Sequence, residues 1–371
     1  MALIRIIIVF TAFLLTSVCF SGNQAIHVVF INPGSVKDIG VWHLTSNFMQ
    51  AAADDLGIQL EVIYSDRNHI KMMDQVSALS KRPVQPDYVV IVNEKQTGDN
   101  MLASLKASHA KILLIHNDLS QKQRQNMGIE REQIKNWIGT IVTDEHKAGY
   151  LEIEQLCQQR NAEPKIVAIT GNKVTPVSNI RVQGLLDYRA DSNSGEIYQV
   201  VYGKWSYDDG KSKARGLLNR HPDTNIIWAA NDSMALGALD AIKEQNREDQ
   251  VIVGGLGGFP DAIKSIKEGG LNLTVAGHPM IGAWALLLLF DYHHGYDFIS
   301  DIGLNYKVNH LTVIDTKEKA DQYSRLVLTH PNQIDFRFFS KALNKNLVKY
   351  DFSYENVVNA ATPKGTPGPG P

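Results

Sequence analysis

From His27 to Pro279 the chain repeats one pattern: a short, nearly continuous apolar run, then a segment whose apolar residues recur at helical spacing. HVVFINPG (27–34) is closed by Pro and Gly, and LTSNFMQAAADDLG (44–57) follows with a terminal Gly stop. Further strands are expected at 58–66, 88–93, 111–117, 137–144, 165–171, 197–203, 225–231, 251–257 and 273–279. Helices are expected between them, near 69–82, 97–108, 146–160, 178–190, 208–220, 233–245 and 260–268. Apolar runs of this kind read as strands buried on both faces, and the helical connections make them parallel. About ten such strands exceed one comfortable sheet. The expected class is α/β, with two doubly wound parallel-sheet lobes.

Residues 1–20, MALIRIIIVFTAFLLTSVCF, place one Arg before a long apolar run, and small or polar residues follow at Ser21, Gly22 and Ala25. That is the pattern of a secretory signal peptide (1–25), cleaved between Ser21 and Ala25. An uncleaved anchor, or a lipoprotein acylated at Cys19, are the competing readings; Thr16 and Val18 fit lipoprotein processing poorly. Without the leader only Cys157 remains, so no intramolecular disulfide is expected. AWALLLLF (283–290) is too short to span a bilayer and reads as a buried helix segment. A net charge of −2 gives no basic excess for nucleic acid and no polybasic patch for a membrane surface.

In doubly wound sheets, ligands bind beyond the carboxyl ends of the strands. Those positions hold Asn32, Asn93, His116, Asn117, Asp144, Trp205, Asn231, Asp232 and His278. Amides and carboxylates hydrogen-bond hydroxyls, and an aromatic face stacks on the apolar side of a sugar ring, so a neutral polyhydroxylated ligand is expected. Catalytic signatures are weak. GGLGGFP (254–260) lacks the spacing and position of a phosphate-binding loop; no P-loop, nucleophile elbow or H-E-x-x-H motif occurs. His293 and His294 are adjacent and diverge on a helix, and Cys157 reads as a small buried hydrophobe. No metal, cofactor or enzymatic activity is expected.

AANDSMALGALDAI (229–242) and VIVGGLGGFPDAIKSIKEGGLNLTVAGHP (251–279) resemble the matching segments of periplasmic sugar-binding proteins of the ribose/galactose type, within the type 1 periplasmic binding protein superfamily. The order of elements agrees from about Ile26 to Val313. The resemblance implies two lobes joined by a three-stranded hinge, with crossings near 142–146, 276–279 and 310–314. The first lobe is then 26–143 plus 279–311, the second 144–278 plus 312–358, and 359–371 a disordered tail. It further implies ligand contacts: Trp42 and Trp205 by stacking, Arg181 on ligand oxygens, and Asn231 with its neighbour Asp232. Trp42 and Asn117 also match the periplasmic autoinducer receptor of the superfamily. Sugar binders carry Asp-Arg where this chain has His116-Asn117, Asp at Leu256 and Gln at Gly277; His278 is the expected substitute. Asn93 completes the candidate set.

Bland readings stand beside these. Asn231 or Asp232 can cap the following helix, Arg181 can pair with a carboxylate, Trp42 can be core, and the histidines can be structural. The expected function is a monomeric periplasmic solute-binding protein that closes over a sugar-like molecule and presents it to an ABC permease. The alternative is a receptor that signals through a membrane sensor kinase or cyclase. An exported α/β hydrolase lacks a nucleophile–base pair, and a repressor of this fold lacks its DNA-binding helices. Beyond Val313, Phe336, Phe338, Phe339 and Leu343 are expected either to pack a helix onto the second lobe or to form a partner surface.

Overall fold

The computed structural model describes residues 25–37, 40–160 and 162–361. The expected leader up to Gln24, its cleavage zone there, and 362–371 lie outside the described residues.

The apolar runs form strands and the periodic segments form helices. The first series is β1 (His27–Asn32), α1 (Val41–Leu56), β2 (Gln59–Tyr64), α2 (His69–Leu79), β3 (Tyr88–Val92), α3 (Gly98–Leu105), β4 (Lys111–His116), α4 (Gln121–Met127) and β5 (Trp137–Thr143). The second is α5 (Glu145–Gln158), β6 (Lys165–Thr170), α6 (Pro176–Ser192), β7 (Glu196–Tyr202), α7 (Tyr207–Arg220), β8 (Ile226–Ala229), α8 (Asp232–Glu244), β9 (Ile252–Gly257), α9 (Pro260–Lys267) and β10 (Leu273–Ala276). The remainder is α10 (Ile281–His293), α11 (Ile299–Ile302), β11 (Asn305–Val308), β12 (Thr312–Ile314), α12 (Lys317–Tyr323) and α13 (Tyr354–Asn359).

The strands build two six-stranded sheets, ordered β2-β1-β3-β4-β5-β11 and β7-β6-β8-β9-β10-β12. All pairings are parallel except β10 with β12. Helical crossovers cover both faces, so β3 is buried along its whole length, as is β5. The chain passes from one sheet to the other after β5, after β10 and after β11. Those three passages form the hinge, and both sheets point their strand carboxyl ends at the cleft between the lobes.

Gly277 sits in the second passage with φ +120°, and a Cβ there would lie 2.3 Å from the His310 carbonyl oxygen. The backbone of the third passage packs where a side chain would go, which explains why a polar side chain is absent here. Leu256 is fully buried within β9. The apolar stretch around Leu286 lies in α10, which is buried from Ile281 to Asp291 and packs on α1. Among the described residues no helix is long and apolar enough to cross a membrane.

The C-terminal segment departs from expectation. β12 and α12 do lie on the second lobe, with Lys267 on α9 paired to Asp321 at 2.7 Å. From Pro331 on, the chain returns to the first lobe. Phe336 sits edge-on against Phe48 of α1, and Phe339 and Phe352 lie against Trp284 of α10. These aromatic rings bury a hydrophobic face of α1 and α10 that no sheet covers. A 3-10 turn at Phe336–Phe339 does this, not a long helix, and Phe338 and Leu343 stay largely exposed. Order also extends past 358: α13 runs to Asn359, and Ala361 bridges to Ile334.

Candidate functional site

Trp42 is the second residue of α1. Its carbonyl accepts a 3.0 Å bond from Asn32 Nδ2 at the end of β1. Gly34 leaves room for it, since a Cβ there would fall 2.6 Å from the Trp42 Cβ. Its ring meets His116 edge-on at 4.9 Å, and the Arg67 guanidinium stands 5.8 Å from its centre. Arg67 is paired with Glu94 at 2.8 Å.

His116 ends β4 with φ +65°, a left-handed conformation rare outside glycine. Its Nε2 is 3.1 Å from Thr45 Oγ1 of α1. Burial, helped by the neighbouring His278, pushes its pKa down to about 3 against the opposing pull of Glu145. Asn117 beside it is half-buried, and its backbone N–H donates to the Ile115 carbonyl.

From the second lobe, Arg181 of α6 reaches the hinge. Its Nε donates to Glu145 at 2.6 Å, one terminal nitrogen donates to the Ala230 carbonyl at 2.6 Å, and the other lies 3.1 Å from His278 Nε2. Glu145 is the first residue of α5, just past the first hinge passage. Burial opposes its ionisation, but Arg181 and His278 together hold its carboxyl far below the usual range. His310, in the third passage, is fully buried with Nε2 3.1 Å from Thr143 Oγ1. Burial and the two neighbouring histidines push its pKa well below normal. Three histidines, one from the first lobe and two from the hinge, therefore lie near Glu145, with Arg181 on His278. Among the described residues no group of His, Cys, Asp or Glu is placed to hold a metal ion.

Trp205 follows β7, also with φ +65°, and is half-buried. Its ring lies on Gly171 at the end of β6, where a Cβ would sit 1.9 Å from it. Asn231 caps α8, accepting from Met234 N–H at 3.0 Å, and its Nδ2 donates to the Trp205 carbonyl at 3.0 Å. These two bonds position the Trp205 loop. Asp232 is almost wholly buried; it accepts from Thr274 Oγ1 at 2.6 Å and from Phe259 N–H at 2.8 Å, tying the segments after β8 and β9 to β10. Burial raises its pKa. Asn93 is likewise consumed: Oδ1 accepts from Gly98 N–H at 2.8 Å and Nδ2 donates to the Asp118 carbonyl at 2.7 Å. As placed here, Asn93, Asn231 and Asp232 bond to the protein and position its loops. Trp42 and His116 meet on the first lobe, Arg181 and His278 on the hinge side of the second, and Trp205 stands on the second lobe's rim. Glu145, Thr45 and His310 were missed by the strand-end reading. Glu145 lies one residue beyond the named strand end, and that adjacency was the available signal.

The fold is thus two doubly wound lobes joined by a triple passage, with Glu145, Arg181 and His278 gathered beside it. A family profile described as a periplasmic binding protein domain matches residues 28–296, and the chain belongs to that family. The ribose import binding protein RbsB of Salmonella typhimurium is 27% identical over 236 residues, 63% of this chain and 74% of that one. A periplasmic sugar-binding protein from Pseudomonas fluorescens superposes with TM-score 0.77 at 30% identity, covering 90% of this chain and 99% of its own. A periplasmic solute-binding protein from Actinobacillus succinogenes, solved with D-allose, has TM-score 0.68 at 19% identity over 80% of this chain and 99% of its own.

Proposed function

We propose that this chain is an exported receptor whose lobes close over a neutral, hydroxyl-rich solute of sugar type and present it to an ABC permease in the membrane. One observation carries the reading: at the hinge the buried Arg181 is neutralised by Glu145 beside His278, while Trp42 and Trp205 stand near strand ends of opposite lobes. Arg181 is matched by Glu145 and Arg67 by Glu94, so neither guanidinium is left as a free charge for an anion, and hydrogen bonds and stacking remain. Ligand contacts that span both lobes favour the closed form and shift the population toward it. The names of the relatives, ribose import and D-allose binding among them, point the same way. The chain acts by binding and not by catalysis, in the periplasm, as a monomer, and without a cofactor. A second reading, a receptor that signals through a membrane sensor kinase or cyclase, is favoured by the departures at Leu256 and Gly277 and by the likeness at Trp42 and Asn117 to the periplasmic autoinducer receptor.

A thermal-shift panel of D-ribose, D-allose, L-arabinose, D-galactose and myo-inositol tests the reading. A ligand raises the melting temperature by mass action. The rise should disappear in Trp42→Ala and Trp205→Ala. If no compound of the panel shifts melting, or both variants respond as the parent does, the sugar-type pocket is wrong.

A further inference from the structure

The third hinge passage, residues 309–311 between β11 and β12, is bonded to the C-terminal segment. Asn309 Nδ2 donates to Asp351 Oδ1 at 2.8 Å, and Asn309 Oδ1 accepts from the Phe352 N–H at 3.1 Å and from the Tyr306 hydroxyl at 3.3 Å. The segment is itself anchored to the first lobe at this point. Phe352 stacks on Trp284 of α10 with ring centres 4.8 Å apart, the Tyr350 hydroxyl donates to Asp291 at 2.9 Å, and the Tyr350 N–H donates to Asp301 at 2.8 Å. The stretch 350–352 therefore moves with the first lobe and grips the hinge from that side.

The same segment reaches the second passage by another route. The Gly277 N–H donates to the Tyr323 hydroxyl at 3.3 Å, and the Tyr323 ring centre lies 5.8 Å from that of Tyr354 in α13. Tyr323 ends α12, which rides on the second lobe through β12 and the Lys267–Asp321 pair. Gly277 leaves no room for a side chain beside the His310 carbonyl, so the second and third passages touch backbone to backbone. The contacts close a circuit from the C-terminal segment through Asn309, His310, Gly277, Tyr323 and Tyr354 back to the segment. A π-helical turn, Ser324–Thr329, completes it covalently, in a geometry that is rare and concentrated at functional sites. Rotation of hinged lobes is absorbed by φ/ψ changes at a few passage residues. Here those residues are bonded into the circuit.

We propose that the C-terminal strap, residues 331–361, is a hinge clamp: by bonding Asn309 and seating Tyr354 on Tyr323, it holds the two lobes at one resting angle and limits their rotation. In a receptor of the kind proposed above, the resting angle sets the share of binding-competent molecules and with it the apparent affinity. That consequence rests on the receptor reading; the clamp itself does not.

Double electron–electron resonance between spin labels on Gln125→Cys of α4 and Lys243→Cys of α8, one exposed site on each lobe, reads the angle in solution with no solute present. Cys157 is buried and stays unlabelled. The doubly labelled parent should give one dominant distance. Asn309 is exposed, so Asn309→Ala removes its bonds to the strap without opening the core. Two bonds at the weak end of the usual range correspond to about a fivefold rise in the minor arrangement. Adding Tyr323→Phe, which takes the acceptor from Gly277, should raise it further. Asp351→Asn keeps the oxygen that accepts from Asn309 and should match the parent. Melting curves identify the folded variants, and if the double variant does not fold, Asn309→Ala alone decides. A folded Asn309→Ala whose distances superimpose on the parent's overturns the clamp. So does a parent with no dominant distance, or a shift in Asp351→Asn as large as that in Asn309→Ala. Because no solute is used, a sugar panel that fails to bind overturns the receptor reading and leaves this result standing.

Discussion

His116 is held neutral in a place where a proton would be costly, and this has a definite pH signature. Its pKa is about 3 in the folded chain and near 6.5 when unfolded, so between those values the unfolded chain binds more protons. Stability is full above about pH 6.5 and falls as pH drops toward 3, by up to about 1.4 kcal/mol per pH unit for this ring. His310 shifts in the same direction and adds to the slope. Glu145 is the one acid in the cluster that pulls the other way on both rings. Urea unfolding at pH 7.5, 6.0 and 5.0 should show this loss, and His116→Asn, which tolerates positive φ, should remove about half the slope. An identical slope in the variant would mean that the ring is hydrated. Arg181→Ala should behave differently, leaving the Glu145 carboxylate buried without its partner at a cost of about 3–5 kcal/mol. The strand-end rule located His116, Trp205 and Asn231 from sequence. It could not tell that the Asn231 and Asn93 amides bond within the protein, since Asn93 meets the Gly98 backbone 5 positions away and the Gln123 side chain 30 positions away. The Glu145–Arg181 pair, 36 positions apart, depends on how α5 packs on α6 and leaves no local pattern.

That packing is set by two glycines. A Cβ on Gly149 of α5 would lie 2.1 Å from the Arg181 carbonyl, and one on Gly184 of α6 would lie 2.1 Å from the His146 carbonyl. The two helices touch backbone to backbone, and α7 and α8 repeat the arrangement through Gly210 and Gly237. Gly184→Ala must force α5 and α6 apart, at about 1–3 kcal/mol of overpacking. It also moves Arg181 relative to Glu145, because each rides on one of the helices, so it should weaken ligand binding as well as lower the melting point. Gly216 of α7 meets nothing within 4 Å, and Gly216→Ala should stabilise by up to about 1 kcal/mol. Calorimetry on both variants checks the contrast; equal shifts would sink it. The order of strands and helices was legible because each apolar run is long and buried. α4 was not, because QKQRQNM has no apolar stripe and announces itself only through the Ser120–Gln123 capping box. β11 and β12 are short edge strands, and NYKV is too polar to read as a buried run.

At the scale of the whole molecule, the chain passes between lobes a fourth time, outside the hinge, and then straps the first lobe. Tyr323 on the second lobe contacts Tyr354 of the strap, and Asp291 at the end of α10 accepts from Ser340, from the backbone of Lys341 and Ala342, and from the Tyr350 hydroxyl. Lys341 also pairs with the nearly buried Asp301 at 2.7 Å. The aromatic residues of this segment were visible in the sequence, but which lobe they cover was not, because a ring pattern without helical or strand periodicity does not name its partner. Removing everything after Thr329 would expose Trp284 and Phe48, each now fully buried, and strand the Asp291 carboxylate. Burial of one large aromatic side chain is worth about 1.5–3 kcal/mol, and Phe336, Phe339 and Phe352 contribute three, so the truncated protein should lose most of a typical domain's stability. Asp291→Ala is the milder probe. It removes one acceptor that serves four donors and should cost about 3 kcal/mol with the strap still present. Denaturant midpoints and dye binding to exposed apolar surface measure both. A truncation that unfolds at the parent's midpoint would show that the strap adds nothing to the first lobe, whereas a large loss with retained sugar response would show that it supports the lobe without forming part of the cleft.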